Sequence, residues 1–171
     1  MEAWIGLGSN LGKPEARLTA ALEKLARTAG IEVKRCSGFY RSAPWGLEDQ
    51  DDFVNAVAVV ETTLPPRELM KSLLDIEQQL GRERREARWG PRCIDLDLLT
   101  YEDLQFESPG LQLPHPRMQL RAFVLQPILE LDSDFLIPGV GPAKTCLSEL
   151  EPQHVEYIGS AEDNLAGVRV K

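Results

Sequence analysis

The spacing of apolar residues along the chain predicts strands and amphipathic helices in a mixed order. Four runs are apolar or alternate between apolar and polar residues, which is typical of strands: residues 3–7, 31–40, 53–60 and 93–100. Between them, two longer stretches repeat an apolar residue every three or four positions, as amphipathic helices do. The first helix is predicted from Pro14 to near Gly30 and the second from Pro65 to Gly81, since proline favours a helix start and glycine a helix end.

The last third of the chain has a weaker pattern. It predicts a short strand at residues 111–113, a helical segment at 117–131 that is broken near Pro127, a helical turn at 145–150 and a last strand at 154–158. The order strand, helix, strand, strand, helix, strand predicts an α+β sandwich of ferredoxin-like type. We expect a mostly antiparallel sheet with its helices packed on one face.

Length and composition fit one globular domain. The chain has 171 residues, of which 43% are hydrophobic and 27% are charged, so we expect a single domain over residues 1–159 and a mobile tail over 160–171. No run reaches the length of a membrane span, and the first residues lack the layout of a signal peptide. The three cysteines are scattered, which suits a reducing compartment and argues against a zinc site. These features predict a cytoplasmic protein that has no membrane partner. We further expect a monomer, although none of these features determines the oligomeric state.

Charge narrows the range of ligands. The net charge of −8 disfavours nonspecific binding to nucleic acid. Residues 82–92 are the exception, because they contain five arginines and two glutamates, a net charge of +3 that leaves −11 on the rest of the chain. A basic run is usually a solvated surface. In an acidic protein this run suits a small, highly charged anion better than a long polyanion, since guanidinium groups pair well with phosphate oxygens.

The predicted strand at residues 93–100 carries two aspartates. Side chains alternate along a strand, so Asp95 and Asp97 lie on one side, about 6.6 Å apart at Cα, and apolar residues lie on the other. Such a pair can bracket two metal ions that are about 3.5 to 4 Å apart. The alternative is an amphipathic strand with a wet face, for which alternation is the default. Aspartate is depleted in strands and like charges on one face repel, which favours a bound cation.

Three further features are candidates for chemistry. Gly6 and Gly8 come before a possible helix, but Leu11 stands where a dinucleotide-binding loop needs its third glycine, so a tight turn is the better interpretation. Asn55 interrupts an apolar strand and is either a structural bridge or a specificity contact. His115 lies between two prolines, which suits a positioned ligand contact, although an isolated loop histidine is more often exposed.

Together these motifs resemble the family of 6-hydroxymethyl-7,8-dihydropterin pyrophosphokinases. The resemblance extends from about residue 3 to residue 131, and its most specific part is the arginine-rich segment 88–92 followed by the aspartates of 95–97. The other matching positions are residues 6–10, 39–44 and 53–55, Glu77 with 81–82, and 114–115 with Arg121 and Phe123.

The resemblance implies an enzyme that transfers diphosphate from ATP to the hydroxymethyl group of the pterin, with release of AMP, in tetrahydrofolate biosynthesis. It implies two magnesium ions held by Asp95 and Asp97, and catalytic roles for Arg82, Arg92 and Asp97. The ATP-binding residues that it implies are Glu77, Arg84, Trp89, Arg92, Leu98, His115 and Arg121. The pterin-binding residues that it implies are Ser42, Ala43, Pro44, Trp45, Phe53, Asn55, Trp89, Asp95 and Phe123.

Two positions depart from the family pattern. Phe53 stands where tyrosine is common, and Pro116 follows the histidine where an aromatic or polar residue is expected. The loops at residues 42–52 and 81–92 are rich in charge and in helix breakers, and we expect them to close over bound ATP.

Two other classes of protein would use some of the same residues. A different magnesium-dependent nucleotide enzyme needs the aspartates and arginines equally, and a ferredoxin-like RNA-binding module would use sheet-borne aromatic residues as base platforms. Phe53, Asn55 and Phe123 favour the pterin enzyme over the first, because a flat second substrate requires them. The acidic net charge argues against the second.

Overall fold

A computed structural model describes residues 1–44, 49–82 and 91–160 of the chain. The first seven elements are β1 (Glu2–Ser9), α1 (Pro14–Arg27), β2 (Ile31–Cys36), β3 (Phe39–Ser42), β4 (Phe53–Thr62), α2 (Pro66–Gln79) and β5 (Asp95–Tyr101). The remaining elements are β6 (Phe106–Ser108), β7 (Leu111–Leu113), a short 3-10 helix (Met118–Leu120), α3 (Ala122–Leu131), β8 (Leu136–Ile137), β9 (Gly141–Pro142), α4 (Ala143–Glu149) and β10 (Val155–Gly159).

The main sheet has β1 and β4 among its inner strands. Strand β1 pairs with β5 on one side and with β4 on the other, and β4 pairs in turn with β2 near one end and with β3 near the other. Strand β10 adds to the free edge of β3. Every strand pair among the described residues is antiparallel. With β2 and β3 counted as one interrupted strand, this is the ferredoxin-like arrangement, and the predicted fold class is confirmed.

Helices cover both faces of this sheet, so the prediction of a single covered face was wrong. Helices α1 and α2 pack with alternate residues of the central strands, among them Ile5 and Ala58. The 3-10 helix, α3 and α4 pack on the opposite face against Trp4 and Val57. The reason is visible in β4, which has consecutive apolar residues on both faces, as strands buried on both sides do.

The end of α2 brings the first arginine to the sheet. Gly81 follows the helix with a φ of 93°, a left-handed conformation that favours glycine. The backbone N–H of Arg82 then donates to the carbonyl of Glu77 at 3.1 Å, which closes the helix in the manner of a C-terminal cap. The predicted glycine cap is therefore present, and it fixes where Arg82 leaves the helix.

Two predicted segments are interrupted at unexpected places. The strand predicted at residues 31–40 is divided at Ser37, whose hydroxyl accepts the N–H of Val57 at 2.9 Å. The helical segment at 117–131 breaks at Arg121 and not at Pro127, which lies inside α3. A proline removes one helical hydrogen bond, and the burial of Leu125 and Ile128 against the sheet outweighs that loss.

The structure also contains elements that were not predicted. Strand β6 pairs with the predicted β7, and β8 and β9 form a second short hairpin. Among the described residues, no helix is both long enough and apolar enough to cross a membrane.

Stability should depend on both faces of the sheet. Leu73 of α2 and Leu125 of α3 are each 0% exposed on opposite faces, so each Leu→Ala change should reduce the free energy of unfolding by about 2 to 5 kcal/mol. Leu74, which is 47% exposed, provides the matched control and should give only a small change. Chemical denaturation monitored by circular dichroism measures all three variants. A Leu125→Ala variant as stable as Leu74→Ala would contradict a core on the second face.

Candidate functional site

Strand register lines up the floor of the site in rows across the sheet. Gly8 of β1 lies between Asn55 of β4 and Asp95 of β5, and in the next row Gly6 lies beside Asp97. Because neither glycine has a side chain, neither one projects into the space above the sheet. A Cβ on Gly8 would make a tight contact of 3.3 Å with the side-chain oxygen of Asn55. Both glycines are thus part of a strand, and the tight turn predicted for them begins only beyond β1.

A cavity of about 350 Å³ lies above this floor. Its walls come from β3, β4 and β5, from the segment that follows β7, and from the start of α3. The predicted site residues that line it are Ser42, Ala43, Phe53, Asn55, Arg92, Asp95, Asp97, His115, Arg121 and Phe123. Residues distant in the sequence therefore meet at one cavity, as the sequence predicted.

Asp95 is held between two arginines. Its Oδ1 accepts from Nη1 of Arg82 at 2.8 Å, and its Oδ2 accepts from Nη1 of Arg92 at 2.7 Å. All three side chains keep between 21% and 24% of their surface exposed; Arg92 and Asp95 line the cavity, and Arg82 is not among its lining residues. Charge-assisted hydrogen bonds of this length are among the stronger ones in proteins. They fix two guanidinium groups beside the carboxylate pair.

The buried side chain of Glu77 forms a salt bridge with Arg82. Only 3% of the residue is exposed, and its Oε1 accepts the backbone N–H of Leu96 at 2.7 Å and contacts Nη1 of Arg82 at 2.6 Å. Burial raises the pKa of Glu77 to about 7, against the lowering effects of the Leu96 and Arg82 contacts. The sequence placed Glu77 among the ATP ligands, but the structure puts it beneath Arg82, where it joins the end of α2 to β5.

Asp97 faces two other basic side chains. Its Oδ2 lies 3.7 Å from Nη1 of Arg121 and 3.9 Å from Nε2 of His115. Burial, and the charge of Asp95 on the same face of the strand, raise the pKa of the Asp97 carboxyl. A bound cation would offset both the burial of Asp97 and its repulsion by Asp95. The two carboxylates therefore fit a metal site better than the alternative of a solvent-exposed strand face.

His115 is a positioned, neutral imidazole. Burial and the nearby charge of Arg121 lower its pKa to about 4, so the ring is neutral at pH 7. The backbone N–H of Arg117 donates to Nδ1 at 3.2 Å, which leaves the ring proton on Nε2, on the side of Asp97. Its own backbone N–H donates to the carbonyl of Leu99 at 2.7 Å. The structure thus favours the positioned ligand contact over an exposed loop histidine.

The other end of the cavity is aromatic and amide-lined. Phe53 from β4 and Phe123 from α3 both face the cavity. Asn55 donates through Nδ2 to the hydroxyl of Ser42 at 2.8 Å and more weakly to the carbonyl of Tyr40 at 3.4 Å. Because those bonds orient the amide, its oxygen lies over Gly8 on the cavity floor. Asn55 is therefore a structural bridge that also lines the cavity, and its role as a specificity contact stays a prediction.

Most of the chain matches one known protein family. Residues 4–133 match the sequence model of the family described as 7,8-dihydro-6-hydroxymethylpterin-pyrophosphokinase (HPPK). The chain belongs to this family. The resemblance inferred from the motifs is thereby confirmed, and the match ends inside the segment after α3.

Several relatives in the HPPK family cover nearly the whole chain. A 2-amino-4-hydroxy-6-hydroxymethyldihydropteridine pyrophosphokinase of Methylorubrum extorquens is 46% identical over 91% of this chain and 98% of its own length. The protein of the same name from Haemophilus influenzae is 43% identical over 91% of this chain and 94% of its own. A solved Plasmodium falciparum HPPK-DHPS structure has a TM-score of 0.67 at 13% identity over 86% of this chain. The chain spans only 43% of that longer protein, and the likeness supports the fold alone.

Some residues expected from the HPPK resemblance lie elsewhere or outside the described part of the chain. Leu98 is 3% exposed in the core on the opposite face, so any contribution to ATP binding would come from its backbone. Pro44 is described but is not among the cavity-lining residues. Trp45, Arg84 and Trp89 fall outside the described residues, as do parts of the two loops predicted to close.

Sequence reasoning missed Asn10, which ties Gln50, Asp51 and Arg92 to the end of β1. The side chain of this residue, which is 2% exposed, accepts the backbone N–H of Arg92 at 2.8 Å through Oδ1. Its Nδ2 donates at 2.9 Å to Oε1 of Gln50 and at 2.9 Å to the carbonyl of Asp51. The signal was present as a polar pair, Ser9 and Asn10, directly after an apolar strand, because buried polar groups need partners.

The donor set for a metal is small. Within residues 1–44, 49–82 and 91–160, no group of three or more His, Cys, Asp or Glu side chains is arranged to hold an ion. Among the described residues that line the cavity, Asp95 and Asp97 alone provide carboxylate oxygens. Magnesium is commonly bound by one or two carboxylates together with substrate phosphates, so the donor set of this HPPK family member fits an ion that arrives with a nucleotide.

The ionisation of Glu77 should be visible in the stability of the protein. Its folded pKa of about 7 lies above the ordinary value of 4.5, so the native state binds the extra proton and loses stability as pH rises through this window. Glu77→Gln removes the titration. Between pH 5 and pH 8 the free energy of unfolding of the variant should therefore rise relative to wild type, by at most about 3 kcal/mol.

Urea denaturation of both proteins at the two pH values measures this difference. The exposed Glu68→Gln variant on the same helix is the control and should track wild type. A constant difference between Glu77→Gln and wild type across the range would show that Glu77 is ionised with an ordinary pKa.

Proposed function

We propose that the chain transfers the diphosphate of ATP to the hydroxymethyl oxygen of 6-hydroxymethyl-7,8-dihydropterin, releasing AMP, as a step of folate biosynthesis. Membership of the HPPK family supports the reaction. The observation that carries the proposal is the composition of the cavity, where a carboxylate pair flanked by arginines adjoins an aromatic and amide-lined end. The first part suits a metal-bound polyphosphate and the second a flat heteroaromatic ring.

The proposed pterin site uses Phe53, Phe123 and Asn55. A flat ring between two phenyl groups gains stacking energy, and an amide can both donate to and accept from an aminopyrimidinone edge. The cavity volume of about 350 Å³ falls within the usual range for small-ligand sites. Phenylalanine at position 53 retains the stacking surface of the tyrosine that is common in the family.

The proposed nucleotide site uses the charged end of the cavity. Asp95 and Asp97 would hold magnesium, which when bound neutralises charge on the phosphate oxygens. Two ions is the count that the resemblance implies. A cation held by Asp95 would compete with Arg82 and Arg92, whose guanidinium groups would then be available to phosphate oxygens. Arg121 and the Nε2–H of His115 add donors on the other side of Asp97.

The proposed reaction is an in-line displacement. The pterin hydroxyl oxygen forms a bond to the β-phosphorus of ATP and gives up its proton to solvent, the bond from that phosphorus to the oxygen of the α-phosphate breaks, and AMP leaves. Asp97 orients the attacking hydroxyl, and Arg82 and Arg92 stabilise the charge that develops on the phosphate oxygens. Positioning and charge stabilisation provide most of the acceleration, because phosphoryl-type transfer needs little covalent help from the protein.

Other parts of the sequence interpretation stay predictions. A cytoplasmic location is supported by Cys36, Cys93 and Cys146, which are thiols and not disulfides. The monomeric state, the single domain over residues 1–159 and the mobile tail over 160–171 are untested.

Product analysis tests the reaction directly. With ATP, magnesium and 6-hydroxymethyl-7,8-dihydropterin, the protein should form AMP and the pterin diphosphate in equal amounts, as measured by ion-exchange chromatography. Arg92→Ala should lower kcat by about 10³-fold or more, since arginines of this kind stabilise phosphoryl-transfer transition states. Arg41→Ala, an arginine in an exposed pair with Glu156, is the matched control and should retain wild-type turnover. Formation of ADP in place of AMP would refute the proposed bond cleavage.

The aromatic end of the cavity can be tested by binding. Phe53→Leu retains an apolar side chain but removes the ring, so the Kd for the pterin should rise roughly 2- to 10-fold, the value of one aromatic contact. Phe53→Tyr should bind the pterin as wild type does. Calorimetric titration with the pterin measures both variants, and titration with an ATP analogue should give the wild-type Kd in each. Equal pterin affinity for Phe53→Leu and wild type would remove Phe53 from the binding site.

A further inference from the structure

The side chain of Gln153 is hydrogen-bonded on both sides of Arg121. Its Oε1 accepts the backbone N–H of Ala122 at 3.0 Å, and its Nε2 donates to the carbonyl of Leu120 at 2.9 Å. One amide thus pairs with the backbone groups that flank a single site residue. The contact joins positions that are more than 30 residues apart in the sequence.

The backbone at Arg121 needs such a partner. Arg121 ends the 3-10 helix and precedes α3 with an extended conformation, φ −122° and ψ 105°, and its side chain makes no capping hydrogen bond to α3. The first N–H groups of a helix have no partner within the helix. The N–H groups of Val124 and Leu125 donate to the carbonyl of Arg121. The N–H of Ala122, the first residue of α3, donates to Gln153.

The conformation at Arg121 decides where two site residues point. Only 12% of the Arg121 side chain is exposed, and its guanidinium lies 3.7 Å from Asp97 and 5.7 Å from the centre of the Phe123 ring. A rotation of the backbone at this junction would move the guanidinium away from Asp97. The surrounding sheet holds the Asp97 side of the contact, since Asp97 lies in β5.

Gln153 is itself fixed by the last strand of the sheet. Strand β10 begins two residues later, where Val155 pairs with Ser42 at the end of β3. Ser42 is the residue whose hydroxyl accepts from Asn55. The segment from Gln153 to β10 therefore joins the start of α3 to the strand that borders the proposed pterin site. It also lies beyond residues 4–133, the part that the family model matches.

We propose that Gln153 is a positioning residue for the transfer reaction, which fixes the backbone on either side of Arg121 and so holds its guanidinium at Asp97. This inference rests on the proposed function, because it assigns Arg121 to the nucleotide. Gln153 does not line the cavity. It acts through Arg121.

The first test needs no substrate. In Gln153→Ala, the peptide that contains residues 118–125 should exchange its amide hydrogens faster than in wild type, by about 10-fold, which corresponds to the loss of hydrogen bonds worth about 1.4 kcal/mol. The exposed neighbour provides a matched control, and His154→Ala should exchange as wild type does. Unchanged exchange in Gln153→Ala would overturn the proposed anchoring.

The second test separates a positioning role from a general structural role. Calorimetric titration with a non-hydrolysable ATP analogue and magnesium should give a Kd about 5- to 10-fold higher for Gln153→Ala than for wild type. In an Arg121→Ala background the same change should have no further effect, because the residue it positions is gone. An equal loss in both backgrounds would show a structural role only and would overturn the proposal.

Gln153→Glu keeps the test available if Gln153→Ala does not fold. This variant retains the acceptor for Ala122 and loses the donor to Leu120, so its Kd should lie between those of wild type and Gln153→Ala. A wild-type Kd for Gln153→Glu would overturn the role of the Leu120 contact. If wild type binds the analogue but does not convert the pterin, the proposed reaction fails while the exchange and binding results still decide the role of Gln153.

Discussion

The pairing of β1 between β4 and β5 is the constraint on which the rest of the site depends. It aligns Asn55, Gly8 and Asp95 in one row across the sheet. A slip of one residue between β1 and β5 would turn the aspartates of β5 into the core, since strand side chains alternate between faces. Such a slip is strongly disfavoured because Leu96 and Leu98 would then leave the core beneath α1 and α2. Burial of apolar residues on one face thus determines the chemistry of the other.

The charged end of the cavity is held by a chain of contacts that begins at a helix end. The cap at Gly81 directs Arg82 toward β5, and Glu77 of the same helix contacts both Arg82 and the backbone of Leu96. Burial of a carboxylate with a pKa of about 7 is unfavourable at neutral pH. Perturbed groups of this kind are common at functional sites, where the fold accepts their effect on stability.

The sequence predicted those features that follow from local periodicity or from a short motif. The alternation in β5, the helix bounds at Pro14 and Gly81 and the order of strands and helices all follow from neighbours along the chain. The second covered face was missed because an apolar run in a strand does not show how many faces are buried. The break at Arg121 was missed since its amide partner, Gln153, lies far along the sequence. Contacts of that kind have no local signal.

The two hydrogen bonds from Arg82 and Arg92 to Asp95 affect how a cation and a phosphate could bind there. In the structure both carboxylate oxygens of Asp95 are hydrogen-bonded to guanidinium groups, so the negative charge of Asp95 is paired with the positive charges of Arg82 and Arg92. Under the proposed function, a cation at Asp95 and phosphates at Arg82 and Arg92 would replace those two bonds with contacts of the same charge type. The change in electrostatic energy is then a difference between similar pairs, which avoids the large penalty of leaving a partly buried charge unpaired. Because the same carboxylate holds both guanidinium groups, a cation at Asp95 would release the side chains of Arg82 and Arg92 together, while their backbone N–H groups would stay bonded to Glu77 and Asn10.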